Sequence, residues 1–354
     1  MSRLPVNAVI GLSRAELSEA LLPLQIERYR AGQIFDWLHK KRVSSYEEMS
    51  NLPAQLRRTL AEDMPFSYPE AVSRRESEKD GTVKYLLSYP DGALVESVLM
   101  HYRHGTSLCL SSQVGCRMAC RFCASGILGK ERNLLAGEML EEVYAVSALE
   151  GERLSNIVIM GTGEPLDNYD EVVRFVRRVT DPEGNGLGGR QVALSTCGIV
   201  PNILRLAEEK LPLALALSLH AVRDSLRHEL MPGTRAWTVR ETVEAMRSYA
   251  ILTGRRVTFE YILIRGLNDT EEDAQELARL IRGIPHLVNL IPVNPVAERG
   301  FCRPDAAETA AFKKMLEKCG INVTIRREMG SDVEGACGQL RRRRMEKLKA
   351  GPST

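Results

Sequence analysis

The stretch Cys116-Arg117-Met118-Ala119-Cys120-Arg121-Phe122-Cys123 decides the fold, because it places three cysteines at CxxxCxxC spacing directly after an apolar segment. That segment, Ser107–Ser112, has the composition of a buried β-strand. A barrel of parallel strands carries its chemistry at the carboxyl ends of those strands, which is where these cysteines fall. The sequence therefore predicts a metal-binding loop at the mouth of a parallel β structure.

The number of cysteines in the loop indicates which metal group it binds. A 4Fe–4S cluster takes four thiolate ligands, so Cys116, Cys120 and Cys123 would leave one iron open. An open iron can chelate S-adenosylmethionine (SAM), and an electron from the cluster can then cleave it to a radical. A zinc site and unliganded thiols are the alternatives. Structural zinc sites usually supply four ligands in CxxC-type pairs, and no histidine or further cysteine lies nearby at that spacing. We therefore predict a radical SAM centre.

The composition is that of an ordinary soluble protein with a sizeable core. The chain has 354 residues, of which 44% are hydrophobic and 27% charged, and this length suggests about two domains or one barrel with an appendage. No apolar run approaches the roughly 18 residues of a membrane span, and the N-terminus lacks the apolar core of a signal peptide. We expect a cytoplasmic protein without a membrane partner, in which eight cysteines indicate metal or redox chemistry.

The positive charge is concentrated at the C-terminus. Residues 338–354 carry a net charge of +5, whereas the whole chain carries +2, which leaves −3 for the rest. Such an arm suits the neutralisation of phosphates. A solvated chain end is the alternative, and the charge run alone does not separate the two.

Periodicity divides the chain into four parts. Residues 1–70 place apolar side chains such as Ile34 and Leu38 at helical spacing, which predicts a small helical N-terminal accessory domain. Residues 71–104 hold two strand patterns around the turn Pro90-Asp91-Gly92, which predict a β-hairpin linker or extension. Residues 105–335 alternate strand and helix patterns, and residues 336–354 form a C-terminal tail.

The alternating region predicts parallel strands with crossover helices, an α/β fold. After Ser107–Ser112, the strand candidates are Asn156–Met160, Arg190–Thr196, Leu213–Leu219, Val257–Ile264, Leu287–Ile291 and Ile321–Arg326. The helix candidates between them include Gly137–Leu149, Tyr169–Val179, Val239–Ile251, Glu271–Arg282 and Pro304–Cys319. About six such units fit a partial (β/α)6 barrel, and a doubly wound open sheet is the alternative on pattern alone.

The motifs around the cysteine loop resemble those of the RlmN/Cfr family of radical SAM RNA methyltransferases. The resemblance runs nearly end to end and includes the helical N-terminal region. The matching motifs are Ser107 to Cys116, Met160 to Leu166, Leu194 to Gly198, Ser218 to Ala221, Ile291 to Pro295 and Gly335 to Leu340. The stretch from Gly330 to Leu340 and the N-terminal region look more like RlmN than like the Cfr type.

The resemblance implies a definite reaction. A ring carbon such as carbon 2 of adenine is electron-poor and cannot attack a SAM methyl group directly. In this family one SAM methylates a cysteine that matches Cys337, and a radical derived from a second SAM removes hydrogen from that methyl group. The carbon radical adds to adenine, and a base matching Glu96 removes the ring proton. A cysteine matching Cys109 then attacks the sulfur of Cys337 and releases the product as a disulfide forms.

The resemblance also implies the residues that contact SAM. They are Gly163, Glu164, Ser195, Ser218, Leu219, His220 and Asn294. Ordinary roles are the alternatives: a buried small side chain for Cys109, an exposed strand carboxylate for Glu96, and a hydrogen-bonded core histidine for His220. Three further cysteines match no family role and are interpreted as structural: Cys197, Cys302 and Cys319.

The substrate implied by the resemblance is RNA. We expect methylation of carbon 2 of an adenine in 23S ribosomal RNA, with an anticodon-loop adenine of tRNA as second substrate. Extruding the base costs a few kcal/mol, which phosphate contacts of Arg341–Arg344 and of arginines beside the cysteine loop could offset. We expect a monomer that takes electrons from a donor such as flavodoxin or ferredoxin. A Cfr-type carbon-8 methyltransferase and a non-methylating radical SAM enzyme are the alternatives.

Overall fold

A small helical domain forms the N-terminal part of the chain. The computed structural model describes residues 5–103, 105–127, 129–294, 300–333 and 340. Helix α1 spans Arg14–Leu21, α2 spans Tyr29–Asp36 and continues as a π-helical turn over Trp37–Lys41, and α3 spans Ala54–Asp63. Short 3₁₀ segments lie at Ala8–Gly11, Leu22–Leu24 and Tyr46–Glu48. The predicted helical character of this region is confirmed.

Local hydrogen bonds explain where α1 begins, and packing explains where the domain sits. Ser13 caps the helix by accepting from the Glu16 N–H, while the Glu16 carboxylate accepts from the Ser13 N–H. The carbonyl of Asn7 approaches Gly137 so closely that a Cβ there would collide with it. The buried residues of the N-terminal domain belong to the same hydrophobic core as those of the sheet. The domain is therefore packed directly onto the α/β part.

The chain beyond the N-terminal domain is built on one ten-stranded sheet. Its first three strands are antiparallel: β1 (Glu70–Glu76), β2 (Val83–Ser88) and β3 (Leu94–Tyr102). Strand β4 (Gly105–Leu110) is antiparallel to β3, and a separate small sheet pairs β5 (Gln113–Gly115) with β6 (Lys130–Asn133). The predicted hairpin of residues 71–104 is thus part of the main sheet, preceded by a strand that the sequence patterns did not indicate.

The remaining strands of the main sheet are parallel. They are β7 (Asn156–Ile159), β8 (Val192–Thr196), β9 (Ala214–Ser218), β10 (Val257–Leu263), β11 (His286–Pro292) and β12 (Val323–Ile325). The helices between them are α4 (Ala136–Glu150), α5 (Tyr169–Val179), α6 (Val200–Glu208), α7 (Asp224–Leu230), α8 (Val239–Thr253), α9 (Glu271–Ile281) and α10 (Ala306–Lys318). Among the described residues, no helix has the length and apolar character needed to cross a membrane.

Strand order separates the two predicted architectures. A doubly wound sheet reverses its strand order at a switch point, whereas β4 and β7 to β12 follow one another in chain order. Side chains from β3, β4, β9 and β10 also line one common cavity, which requires the sheet to curl around it. The predicted partial barrel is confirmed, and the doubly wound alternative is wrong because no strand order reversal occurs in the described sheet.

Candidate active site

One cavity of about 330 Å³ lies at the carboxyl ends of the parallel strands. Its volume is within the range of small-molecule sites. The cavity brings together ten of the residues that the sequence singled out: Cys109, Cys116, Cys120, Cys123, Gly163, Glu164, Ser195, Ser218, His220 and Asn294. Glu96 and Leu219 lie outside its lining, and Cys337 lies outside the described residues.

Backbone hydrogen bonds fix the conformation of the cysteine loop. The Cys116 N–H donates to the Gly129 carbonyl at 3.1 Å, and the Cys123 N–H donates to Cys120 at 3.1 Å. Gly115 has φ +79°, and a Cβ at this position would collide with the Gly129 carbonyl, so glycine is required here. None of the three cysteines forms a disulfide among the described residues. All three cysteines line the same cavity, as the predicted three-thiolate set requires.

Asp167 connects the segments before, within and after the cysteine loop. Its carboxylate accepts from Gln113 Nε2 at 2.9 Å and from Lys130 Nζ at 2.8 Å. It also pairs with Arg117, which lies inside the loop. Burial acts to raise the pKa of Asp167, but the hydrogen bonds from Lys130 and Gln113 and the nearby cations hold the pKa below its ordinary value. Sequence reasoning did not identify this anchor.

Glu164 organises the loops that follow β7 and β8. Its buried carboxylate accepts from Thr196 Oγ1 and from the Cys197 N–H, each at 2.6 Å, and from the Leu166 N–H at 3.0 Å. Burial raises the pKa of Glu164, and these hydrogen bonds act in the opposite direction. The residue therefore shapes the cavity wall as well as lining it.

His220 is fixed in one tautomer by the backbone. Its Nδ1 accepts from the Ile262 N–H at 3.1 Å, so the ring proton belongs on Nε2. Burial lowers the pKa of His220 to about 3, which keeps the ring neutral. The residue has φ +63°, a left-handed conformation that is uncommon for a non-glycine residue and often found at functional sites. The Phe122 ring of the cysteine loop lies edge-on to it at 4.9 Å.

Polar side chains from the later strands complete the cavity. Ser195 Oγ and Ser218 Oγ, on adjacent strands, lie 3.2 Å apart. Asn294 Oδ1 accepts from Arg303 Nη1 at 2.9 Å, and Arg303 also pairs with Glu328 at 2.7 Å. Sequence reasoning missed several lining residues that belong to none of the motifs used: Glu260, Arg303, Arg326, Arg327 and Glu328. Met160 also lines the cavity, and it is the first residue of a motif used, but no role was predicted for it.

Cys109 and Glu96 occupy neighbouring positions on the curled sheet. Cys109 on β4 is opposite Val98 on β3 and lines the cavity. Glu96 is two residues before Val98, on the same face of β3, because side chains alternate along a strand. The alternative of an exposed strand carboxylate is wrong, since Glu96 is buried and its Oε2 lies 3.0 Å from Lys84 Nζ. Leu219 is buried beside His220 and donates its N–H to the Glu260 carbonyl.

The cysteines without a family role differ in position. Cys302 and Cys319 are exposed. Cys197 lines the cavity, where its thiol interacts with that of Cys120. The signal for this proximity lies in the order of the strands. Cys197 follows β8, and the cysteine loop follows β4 and the short β5.

Leu340, the one residue of the C-terminal tail that the structure describes, lies against the sheet. Leu340 is buried in a small apolar cluster with Leu86 on β2 and Leu94 on β3. Leu86 pairs in register with Glu96, and Leu94 lies two residues before it on the same face. Leu340 therefore lies beside the part of the sheet that carries Glu96.

Comparison with known proteins gives consistent matches over the chain. A family model of the radical SAM superfamily matches residues 110–281, and a model of the ribosomal RNA large subunit methyltransferase N-terminal domain matches residues 7–65. The probable dual-specificity RNA methyltransferase RlmN of Lachnospira eligens is 47% identical over 338 residues, covering 96% of this chain and 97% of that protein. Its counterpart from Lachnoclostridium phytofermentans is 51% identical over 332 residues, covering 94% and 93%.

A solved structure also matches this chain in fold. The crystal structure of a radical SAM methyltransferase from Sphaerobacter thermophilus is 44% identical to this chain, with a TM-score of 0.89. The match covers 95% of this chain and 99% of that one.

Proposed function

This chain belongs to the RlmN family of radical SAM RNA methyltransferases, and on that premise we propose that it methylates carbon 2 of adenine in 23S ribosomal RNA and in the anticodon loop of tRNA. The carrying observation is that Cys109 lines the same cavity as the three loop cysteines. A radical generator alone has no need of the Cys109 thiol, whereas a mechanism that releases a cysteine-bound product by forming a disulfide requires such a thiol.

The cofactors follow from the family, and the cavity residues fit them. A 4Fe–4S cluster and SAM together supply a carbon radical when bound. Cys116, Cys120 and Cys123 would hold the cluster, and six of the seven predicted SAM residues, all except Leu219, line the same cavity. Ser195 and Ser218 offer hydroxyl groups, and His220 offers its Nε2–H because Nδ1 is engaged by the backbone. These donors suit the carboxylate and hydroxyl oxygens of SAM.

Two thiols and one carboxylate of this chain would handle the methyl group. Cys337 accepts the methyl group from SAM and carries it to adenine, and Glu96 takes the proton from the ring carbon. Cys109 then attacks the sulfur of Cys337, a sulfur–sulfur bond forms, and the carbon–sulfur bond to the product breaks. The freed methylene carbon takes up a proton to become the methyl group, and the one surplus electron passes to a one-electron acceptor of the flavodoxin or ferredoxin class. This role for Glu96 is supported by its position two residues before Val98, which lines the cavity.

Leu340 supports the participation of Cys337. Three peptide units separate the two residues, and this length of chain spans at most about 11 Å. Since Leu340 is buried against Leu86 and Leu94, a segment of this length would suffice for Cys337 to act near the face that carries Glu96. The position of Cys337 itself lies outside the described residues.

Basic residues around the cavity would contact the RNA backbone. Arg117 and Arg121 in the cysteine loop keep 64% and 41% of their side chains exposed. Phosphate contacts of this kind position an RNA without reading its sequence, and extrusion of the target base would require them. The tail run Arg341–Arg344, which lies outside the described residues, would supply further positive charge for such contacts. Reduction of the cluster would need a one-electron donor of the flavodoxin or ferredoxin class.

An anaerobic reaction with methyl-labelled SAM and separate 23S ribosomal RNA and tRNA tests this proposal. Mass spectrometry of the digested RNA locates the label, which we expect on carbon 2 of adenine in both substrates. Cys337→Ala should abolish methyl transfer and leave SAM cleavage measurable. Label on carbon 8 would instead indicate a Cfr-type enzyme. Full methylation by the C337A protein would refute the cysteine-carrier mechanism.

A further inference from the structure

Arg227 is a buried cation beside the cysteine loop that the proposed mechanism does not use. It lies on α7, and its side chain is 0% exposed. Its Nε donates to the Leu219 carbonyl at 3.2 Å, and its Nη2 donates to the Cys197 carbonyl at 2.6 Å and to the Ser218 carbonyl at 3.4 Å. Its Nη1 has no hydrogen-bond partner among the described residues.

The charge of Arg227 is not balanced by a carboxylate. No carboxylate in the described part of the chain lies within ion-pair distance of its guanidinium. Burial lowers the pKa of Arg227, and the acidic groups that act against this are the thiols of Cys197 and Cys120 and the carboxylates of Asp224 and Glu164. Both carboxylates are already hydrogen-bonded, Asp224 to the Val239 N–H and Glu164 as described above. A buried ion without a counter-ion costs several kcal/mol.

The segment that carries Arg227 is joined directly to the cysteine loop. The Arg121 N–H donates to the carbonyl of Leu230, the last residue of α7, at 2.8 Å. The Gly233 N–H donates to the Met118 carbonyl at 3.0 Å. Cys120 packs with Leu230 and Met231 in one apolar cluster, which excludes water between the two segments. Charges interact strongly across such a low-dielectric region.

The loop cysteines would supply the missing negative charge once they hold a cluster. Three thiolates outweigh the two positive charges of an oxidised 4Fe–4S core by one, and reduction adds another negative charge. Nearby positive charge stabilises the more negative, reduced form, and so raises the reduction potential.

We propose that Arg227 is the buried counter-ion of the cluster, and that it facilitates the one-electron reduction on which radical formation depends. The electron comes from the external donor, and Arg227 exchanges neither an electron nor a proton. This role rests on the cluster alone, so it does not depend on which RNA atom is methylated. The ordinary alternative is a purely structural role, because the same side chain links the loop after β8 to the end of β9 by hydrogen bonds.

A redox titration of the reconstituted protein, followed by electron paramagnetic resonance, distinguishes the two roles. Arg227→Gln removes the charge, and Arg227→Lys keeps it but lacks the fork of donors. The matched control is Arg223→Gln, which removes one charge from the N-terminal boundary of α7, where the side chain is 57% exposed and pairs with Asp273. Iron content and circular dichroism establish that each protein is folded and loaded.

The proposal predicts that R227Q lowers the ratio of reduced to oxidised cluster about tenfold at a fixed potential, equivalent to about 59 mV for a one-electron couple. The ratio in R227K and R223Q should remain close to that of the wild type. If R227Q does not fold, incorporation of citrulline at position 227 retains the Nε and Nη2 donors without the charge, and the same tenfold change is expected. An unchanged ratio in the neutral protein would overturn the proposal, and so would an equal fall in R227K.

Discussion

Lys84 Nζ on β2 lies 3.0 Å from Glu96 Oε2 on β3, with the two side chains only 0% and 2% exposed. Each ion would be costly to bury alone, and the pair is tolerated because each offsets the charge of the other. The interaction restricts the orientation of the carboxylate that we propose as the base. Lys84 is therefore a positioning residue for Glu96, and this leads to the first prediction.

Removing one partner of the Lys84–Glu96 pair should destabilise the protein more than replacing both partners. Lys84→Met leaves a buried carboxylate without its ammonium partner, so we expect a loss of about 3–5 kcal/mol in the free energy of unfolding. The double variant K84M/E96Q should lose less than the two single variants together. Urea denaturation of the four proteins measures the coupling, and strictly additive losses would contradict a direct Lys84–Glu96 interaction.

Cys109 is predicted to release the product. Without its thiol, the methylene carbon should stay bonded to both Cys337 and adenine, so Cys109→Ala should accumulate a covalent protein–RNA adduct. The adduct is visible as a band shift on denaturing gels and by mass spectrometry. Cys319→Ala is the matched control, because Cys319 is an exposed thiol directly after the last residue of α10. Free methylated RNA from C109A at the wild-type rate would exclude this role.

Asp167 should determine how firmly the cluster is held. Asp167→Asn weakens the contacts to Gln113, Lys130 and Arg117, so we expect faster iron loss to a chelator. Since the folded pKa of Asp167 is lowered, its stabilisation is complete above the ordinary pKa of 3.8 and is lost as the pH falls through the lower value. Asp170→Asn, on the exposed start of α5, is the control, and equal iron loss from both variants would count against the anchor.

His39 should make folding depend on pH. Burial lowers the pKa of His39 to about 3 from 6.5, so the unfolded chain binds the proton first. Its neutral form supports folding fully above pH 6.5, and stability is lost as the pH falls from 6.5 toward 3. The loss is about 2 kcal/mol between pH 8 and pH 5. Denaturation of the cluster-free protein measures the difference in unfolding free energy between pH 8 and pH 5. This difference should be smaller by about 2 kcal/mol in His39→Gln than in the wild type. An identical pH dependence of the two proteins would disprove the role of His39.

Leu340 should hold the tail in its working position. Leu340→Ala removes contacts with Leu86 and Leu94, and a buried Leu→Ala change costs about 2–5 kcal/mol. Intact mass measurement should show markedly slower methylation of Cys337 by SAM, at unchanged iron content. The control is Leu149→Ala, since Leu149 is exposed on α4. Wild-type methylation in L340A would mean that this contact does not position the carrier.

Some elements were predictable because their signal is local. The strands β7 to β11 are short apolar runs, and the helices α4, α5, α8, α9 and α10 have long amphipathic patterns. Strand β1 escaped notice because it lies at the sheet edge and its residues Ser73 to Glu76 are polar and partly exposed. Helix α7 escaped because it has only seven residues, too few to establish a period.

The sequence by itself determined the chemistry of the loop and the order of strands and helices, since both depend on neighbours along the chain. Only the tertiary structure decided that Lys84 meets Glu96, that Asp167 ties three segments together, and that Arg227 lies buried behind Cys197. These contacts join residues from separate elements, and their existence depends on strand register and on the curvature of the sheet. A shift of one residue in a strand would turn each side chain to the opposite face, so spacing along the chain cannot specify such pairs.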